Sequence, residues 1–154
     1  MKELELTDEE AHRLIVMLKR VVEEHTGILS EDAAGEILIH GSGNLEFKLN
    51  YRFSKRKTTF NFREKKYNYN LLRINLGNSF HKNADGEKVF GNRINIFSTE
   101  EYFLKGDGTT YMRTFPLPYE SIRSTNDFFE AMYDLFSYTN TNDTDKIVIQ
   151  DTLL

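Results

Sequence analysis

One repeated pairing of residue types carries the chemistry in this chain. Lys48, Asn50 and Arg52, then Asn61 and Arg63, then Arg73 and Asn75, then Arg93 and Asn95 occupy alternate positions, and the residues between them are Leu, Tyr, Phe or Ile. A period of two marks a strand with one apolar and one solvated face. If these segments lie in one antiparallel sheet, their polar phases meet on a surface of Arg, Lys and Asn. Guanidinium forks and carboxamides are rich in donors and suit phosphate oxygens and base edges. Lys55-Arg56-Lys57 and Lys65-Lys66 add charge between the segments, and Tyr51, Tyr67 and Tyr69 could stack on unpaired bases. The plainer account is that every antiparallel sheet has a wet face. For one strand that account is preferred; four strands repeating the same chemistry weigh against it.

Four histidines are the candidates for proton transfer. His12 and His25 fall on a predicted first helix and read as surface or interfacial side chains. His25 would be favoured there by the helix C-terminus. His40 lies in a strand with no acidic or histidine partner nearby. His81 follows the Arg73-x-Asn75 segment and precedes the turn Asn83-Ala84-Asp85-Gly86. An imidazole beside arginines can act as general acid or base in RNA cleavage, which requires neither metal nor cysteine. A loop histidine bonded to its own turn is the commoner case. Asp85 and Glu87 are too few ligands for an EF-hand. The chain has no His-x-His, no Gly-rich phosphate loop and no Gly-x-Ser-x-Gly elbow. No metal or other cofactor is implied.

Charge is sorted along the chain. Residues 1–36 hold ten acids and four bases, residues 37–97 four acids and twelve bases, and residues 98–154 ten acids and four bases, for a net −4. A basic middle between acidic ends suggests either a middle that meets an anion or flanks that meet a basic partner. At 154 residues the chain suits one domain with a real core. Apolar residues come in short runs, far from the roughly 20 that a membrane span requires. Met1–Thr7 is acidic and lacks the apolar stretch of a secretory signal. With no cysteine there is no disulfide or thiolate chemistry, and the cytoplasm is the expected compartment.

Arg73-x-Asn75, Gly77, His81-x-Asn83-x-Asp85-Gly86, Gly91 and the closing Pro116-Leu117-Pro118 resemble an uncharacterised family of small bacterial and phage proteins. That pattern runs from an Arg through His-x-Asn-x-Asp-Gly to a Gly followed by His-x-His on a strand. Here Arg93 and Asn95 stand where the pattern has its histidine pair, which removes two-histidine catalysis or a histidine metal site. The resemblance covers roughly residues 70–118. It implies a phage or mobile-element setting, and with it either a toxin-like RNA-directed protein or an inhibitor of a host defence nuclease.

The elements that must position these residues are legible from pattern. Thr7-Asp8-Glu9-Glu10 is a capping box, and Ala11, Leu14, Ile15, Leu18, Val21 and Val22 follow at helical spacing, with Gly27 as the stop. Alternation from Gly35 onward predicts an antiparallel meander. Ser98-Thr99-Glu100-Glu101 starts a short helix ending before Gly106, and Thr109–Phe115 reads as a strand. A last helix has Ser124 or Thr125 as N-cap and Phe128, Phe129, Met132, Leu135 and Phe136 as its apolar face. The expectation is an α+β domain over residues 1–139, with five or six antiparallel strands and the N-terminal and C-terminal helices packed on one face. Residues 140–154 are expected to form a mobile tail.

Two functions compete. In the first, the chain is a phage or mobile-element accessory protein that binds RNA or single-stranded nucleic acid through Lys48, Arg52, Lys55, Arg56, Lys57, Arg63, Arg73, Asn75, Arg93 and Asn95. Catalysis is not required there; if present, it is that of a metal-independent ribonuclease using His81. In the second, it is an anti-defence inhibitor, anti-CRISPR-like, that contacts a host protein through acidic helical surfaces: Glu23, Glu24, Glu31, Asp32 and Glu36, or Asp127, Glu130 and Asp134. A structural or assembly module ranks behind both, and neither leading reading involves a membrane.

Overall fold

In the computed structural model, which describes residues 2–151, helix α1 (Asp8–Val16) begins at its capping box. The Thr7 hydroxyl accepts from the Glu10 N–H, and the Glu10 carboxylate accepts from the Thr7 N–H, each at 3.1 Å. Met1 and residues 152–154, the far ends of the segments expected to be a non-signal and a tail, lie outside the described residues.

The helix is shorter than its apolar spacing suggests. Met17 is extended, and the chain passes into β1 (Lys19–Val21) and β2 (His25–Leu29), so Leu18, Val21, Val22, His25 and Gly27 are not helical. The cause is visible at Lys19. Its ammonium turns back and donates to the carbonyls of Ile15 (2.6 Å), Met17 (2.9 Å) and Thr139 (2.8 Å). The last carbonyls of a helix have no partner within it, and here one lysine supplies partners where α1 ends. The same ammonium lies 5.1 and 5.4 Å from the ring centres of Phe47 and Phe62. Only 2% of Lys19 is exposed. Burial pulls its pKa down to about 7.

Beyond β2 come β3 (Ala33–His40), β4 (Glu46–Phe53), β5 (Thr58–Glu64), β6 (Asn70–Leu76), the hairpin β7 (Phe80–Lys82) and β8 (Lys88–Phe90), and β9 (Arg93–Phe97). Helix α2 (Thr99–Lys105), β10 (Met112–Pro116), helix α3 (Phe128–Tyr138), β11 (Thr141–Asn142) and β12 (Ile147–Asp151) complete the order. The main sheet has eight strands, not five or six, in the order β10-β9-β6-β5-β4-β3-β1-β11. Its pairings are antiparallel except β1 with β11, which is parallel. The strands without a sequence signal are the shortest. Residues expected to form a tail supply β11 and, through a second parallel pairing, β12 against β2.

Ala11, Leu14 and Ile15 from α1 share one buried cluster with Phe128, Met132, Leu135 and Phe136 from α3 and with Ile37, Leu49, Phe60, Phe62, Leu72 and Ile74 from the sheet. Each large apolar side chain among them, fully buried, contributes about 1.5–3 kcal/mol. Phe128 is the hub: its ring centre lies 5.3, 5.9 and 5.0 Å from those of Tyr51, Phe53 and Phe60. The N-cap of α3 is Asp127, which accepts from the Glu130 N–H, rather than Ser124 or Thr125.

Candidate functional site

Register places the polar phases of the strands side by side. One row across the sheet reads Arg52, Thr59, Asn75, Arg93, and the next reads Asn50, Asn61, Arg73, Asn95, Thr114. The repeated Arg-x-Asn segments of β6 and β9 are thus antiparallel neighbours, each arginine opposite the other strand's asparagine. Lys48 and Arg63 pair in a third row.

The far end of this face is covered by the β7–β8 hairpin. Asn83 is the fastening: its Nδ2 donates to the Thr114 carbonyl and its Oδ1 accepts from the Thr114 N–H, both at 2.9 Å. Buried Glu101 on α2 accepts from the Ala84 N–H at 2.7 Å. Asp85 takes the Glu87 N–H and pairs with Arg113 at 2.9 Å. The Asn and Asp of His-x-Asn-x-Asp-Gly therefore dock the hairpin and its turn, leaving the histidine for other work.

Beneath the hairpin an amide relay sets the polarity of the floor. The Arg73 carbonyl can only accept, so the Asn95 nitrogen faces it at 3.2 Å. The Asn95 oxygen then accepts from the Thr114 hydroxyl at 2.5 Å, and its nitrogen also donates to the Asn75 oxygen at 2.8 Å. The nitrogen of Asn75 is left as a donor. These groups meet in a cavity of about 340 Å³ lined by Lys57, Arg73, Asn75, His81, Arg93 and Asn95, together with Asn70 and Thr109–Met112. Among the described residues no carboxylate lines it. A second depression of about 320 Å³ shares Lys57 and Arg73 and adds Arg52, Ser54, Thr59 and Asp32.

The cations here make no ion pairs among the described residues. Among the described residues, Arg52, Lys57, Arg63, Arg73 and Arg93 have no carboxylate oxygen within 4.0 Å. Arg93, 7% exposed, is fixed by the Ser79 carbonyl (3.2 Å), the Gly91 carbonyl (3.0 Å) and the Ser79 hydroxyl (3.0 Å). Burial and then the neighbouring Arg73 pull it below the usual guanidinium value, and a guanidinium stays charged nonetheless. The Nε atoms of Arg73 and Arg93 and Nε2 of His81 are buried with no hydrogen-bond partner among the described residues. Burial, then Lys105 and Arg93, hold His81 below the ordinary imidazole value against the opposite pull of Glu101. A neutral imidazole among cations can accept a proton.

The other expected residues are dispersed. Lys48 is tied to Glu36 at 2.5 Å, and Arg63 donates to Asn70 and Asn68. Lys55 and Arg56 line a different depression beside Phe53 and Asp127. Tyr51 is buried and bonded to His25 at 2.8 Å, and Tyr69 packs against Phe97 and Tyr111, so neither is free to stack on a base; Tyr67 is exposed. His40 does have an acidic neighbour, Glu46, at 3.8 Å. Three features escape a reading of the sequence: Ser79, which anchors Arg93; Asn83 as the clamp; and Phe80 and Phe90, an exposed pair 5.2 Å apart on the hairpin. The motif resemblance flags Asn83, and nothing in the pattern flags the rest. Among the described residues there is no cluster of three or more metal-ligating side chains, and no helix is long and apolar enough to cross a membrane.

The fold and this cavity define an α+β protein whose main sheet carries a cation-lined, donor-rich cleft on its polar face. The chain belongs to a family of unknown function (DUF6978), matched over residues 6–141. That span extends well beyond the motif between residues 70 and 118. No curated protein and no solved structure matches it.

Proposed function

We propose that the protein binds RNA or another single-stranded nucleic acid along the polar sheet face. The observation that carries this reading is the absence, among the described residues, of any ion pair at Arg52, Lys57, Arg73 and Arg93, which share one trough. Clustered guanidiniums repel one another, and an anionic ligand offsets that repulsion. A row of donors reads phosphate and sugar without demanding a base sequence. His81 lines the inner part of the same trough, and in this reading hydrolysis by it is an optional addition. The phage or mobile-element setting rests on the motif alone.

The competing inhibitor reading has less support. Glu130 and Asp134 are engaged by Arg123, at 3.0 Å each, and Glu36 by Lys48. Glu23 and Glu24 are exposed but lie between strands, not on a helix.

The test is equilibrium binding of a labelled single strand and its duplex at two salt concentrations. Binding of the single strand should fall steeply with salt, by about 0.7 in log–log slope for each phosphate neutralised. No binding at low salt by the purified chain overturns the reading.

A further inference from the structure

The floor of the trough is more deeply buried toward β9 and β10, where the hairpin walls one side. Along the first row, exposure falls from Arg52 at the surface to Asn75 at 6% and Arg93 at 7%. Along the second it falls from half-buried Asn61 and Arg73 to Asn95 at 8% and Thr114 at 0%. The wall is built by the Asn83 clamp on Thr114 and by the hairpin that carries His81. A strand lying over Arg52 and Thr59 and running toward β10 reaches Arg73 and Arg93 and then meets the hairpin wall at Thr114.

The charge of the inner cavity differs from that of the outer depression. The inner cavity has three cations, Lys57, Arg73 and Arg93, and no carboxylate among the described residues, whereas the outer depression includes Asp32. A phosphodiester within a chain carries one negative charge and must continue on both sides. A terminal phosphate carries close to two at neutral pH, offers three acceptor oxygens, and continues on one side only. The Nε atoms of Arg73 and Arg93 are buried donors with no acceptor among the described residues. We propose that the inner cavity takes the terminal phosphate of a single strand, so that the protein reads an end rather than an internal segment. This rests on the nucleic-acid reading of the trough and adds to it the substrate class.

The experiment compares one short single-stranded RNA with a 5′-phosphate, with a 3′-phosphate and with hydroxyls at both ends, against wild type, Lys57→Ala, Arg73→Ala and Arg52→Ala. One phosphorylated end should bind about tenfold or more tightly than the hydroxyl strand, the effect of one strong charge-assisted contact. Lys57→Ala, a change in an exposed loop, and Arg73→Ala should erase that preference. Arg52→Ala should weaken all three strands alike. Equal affinity for all three strands overturns the end-reading inference and leaves the trough reading standing. Binding of none of them overturns both.

Discussion

Asn83 and Thr114 are joined as neighbouring strands are joined, although one partner is a side chain: the Asn83 carboxamide bonds both backbone groups of Thr114 at 2.9 Å. Thr114 has zero exposure, so water cannot replace the amide. Asn83→Ala leaves a buried N–H and a buried carbonyl unpaired, and should cost about 2–4 kcal/mol of stability. Asn83→Asp should cost at least as much, because a carboxylate oxygen then faces the Thr114 carbonyl. Chemical denaturation measures both; a loss below about 1 kcal/mol for Asn83→Ala would show that the hairpin is held mainly by Glu101 and Asp85.

Lys19→Met should be strongly destabilising even though methionine fills similar space. The three carbonyls that the ammonium serves would be stranded, at roughly 1–3 kcal/mol each where they stay dry. The pH dependence has a definite sign. The folded pKa is about 7, whereas an unfolded lysine titrates near about 10.4. Between those values the unfolded chain binds the extra proton, so the Lys19 contribution makes stability rise with pH over that window. Subtracting the Lys19→Met curve should expose this slope. A difference that is flat from about pH 7 to 10 would mean that the carbonyls and rings hold the proton as firmly as water does.

Charge reversal at Arg52 together with Arg73 should weaken single-strand binding severely. It should also lower the salt slope by about 0.7 for each phosphate no longer neutralised. Reversal of Glu23 and Glu24 should leave that binding unchanged. The inhibitor reading expects the opposite pairing: a protein complex broken by the glutamate changes and indifferent to the arginines. Titrations of the two double variants against RNA and against a captured partner separate the two.

His81 offers two measurements. If it transfers protons in RNA cleavage, His81→Ala should lower the rate by about 10²–10⁴; wild type inert toward a panel of RNAs closes the enzymatic reading. Independently of catalysis, burial depresses its folded pKa. The unfolded imidazole then binds a proton first as pH falls below about 6.5, and stability is lost on the acid side through the depressed value. His81→Gln should reduce that acid sensitivity. An identical pH–stability curve in wild type and variant would place His81 in open solvent.

The strand faces are legible because every strand of the meander carries both halves of its instructions. Phe60 and Phe62 must go one way, which sends Asn61 and Arg63 the other. The register that lines up Asn75 with Arg93 is not written locally, but the repeated Arg-x-Asn hints at it. The end of α1 is hidden because Leu18, Val21 and Val22 keep a helical spacing while Lys19 leaves to bond three carbonyls, one of them 120 residues away. Spacing reports which residues avoid water and is blind to such a distant acceptor. The aromatic stacking candidates fail for a related reason: Tyr51 sits on the apolar phase of β4, and its hydroxyl is satisfied inside by His25. The turn of the hairpin is legible, but its strands give no signal because they are three residues each, too short to show a period.

The two parallel pairings have a bearing on how the chain is made. β1 and β2 find partners in β11 and β12, which follow α3 at the other end of the described sequence. On a ribosome the central strands emerge early and can pair with their neighbours, because the meander closes through short loops. His25–Leu29, by contrast, must wait for residues 147–151 before it has this ladder partner, and Lys19 must wait for Thr139 before its third acceptor exists. The nascent chain therefore carries an uncovered strand and a buried-to-be lysine until α3 and the strands after it have been made. Emergence of residues 139–151 should be the moment at which the chain first resists proteolysis at its N-terminal side.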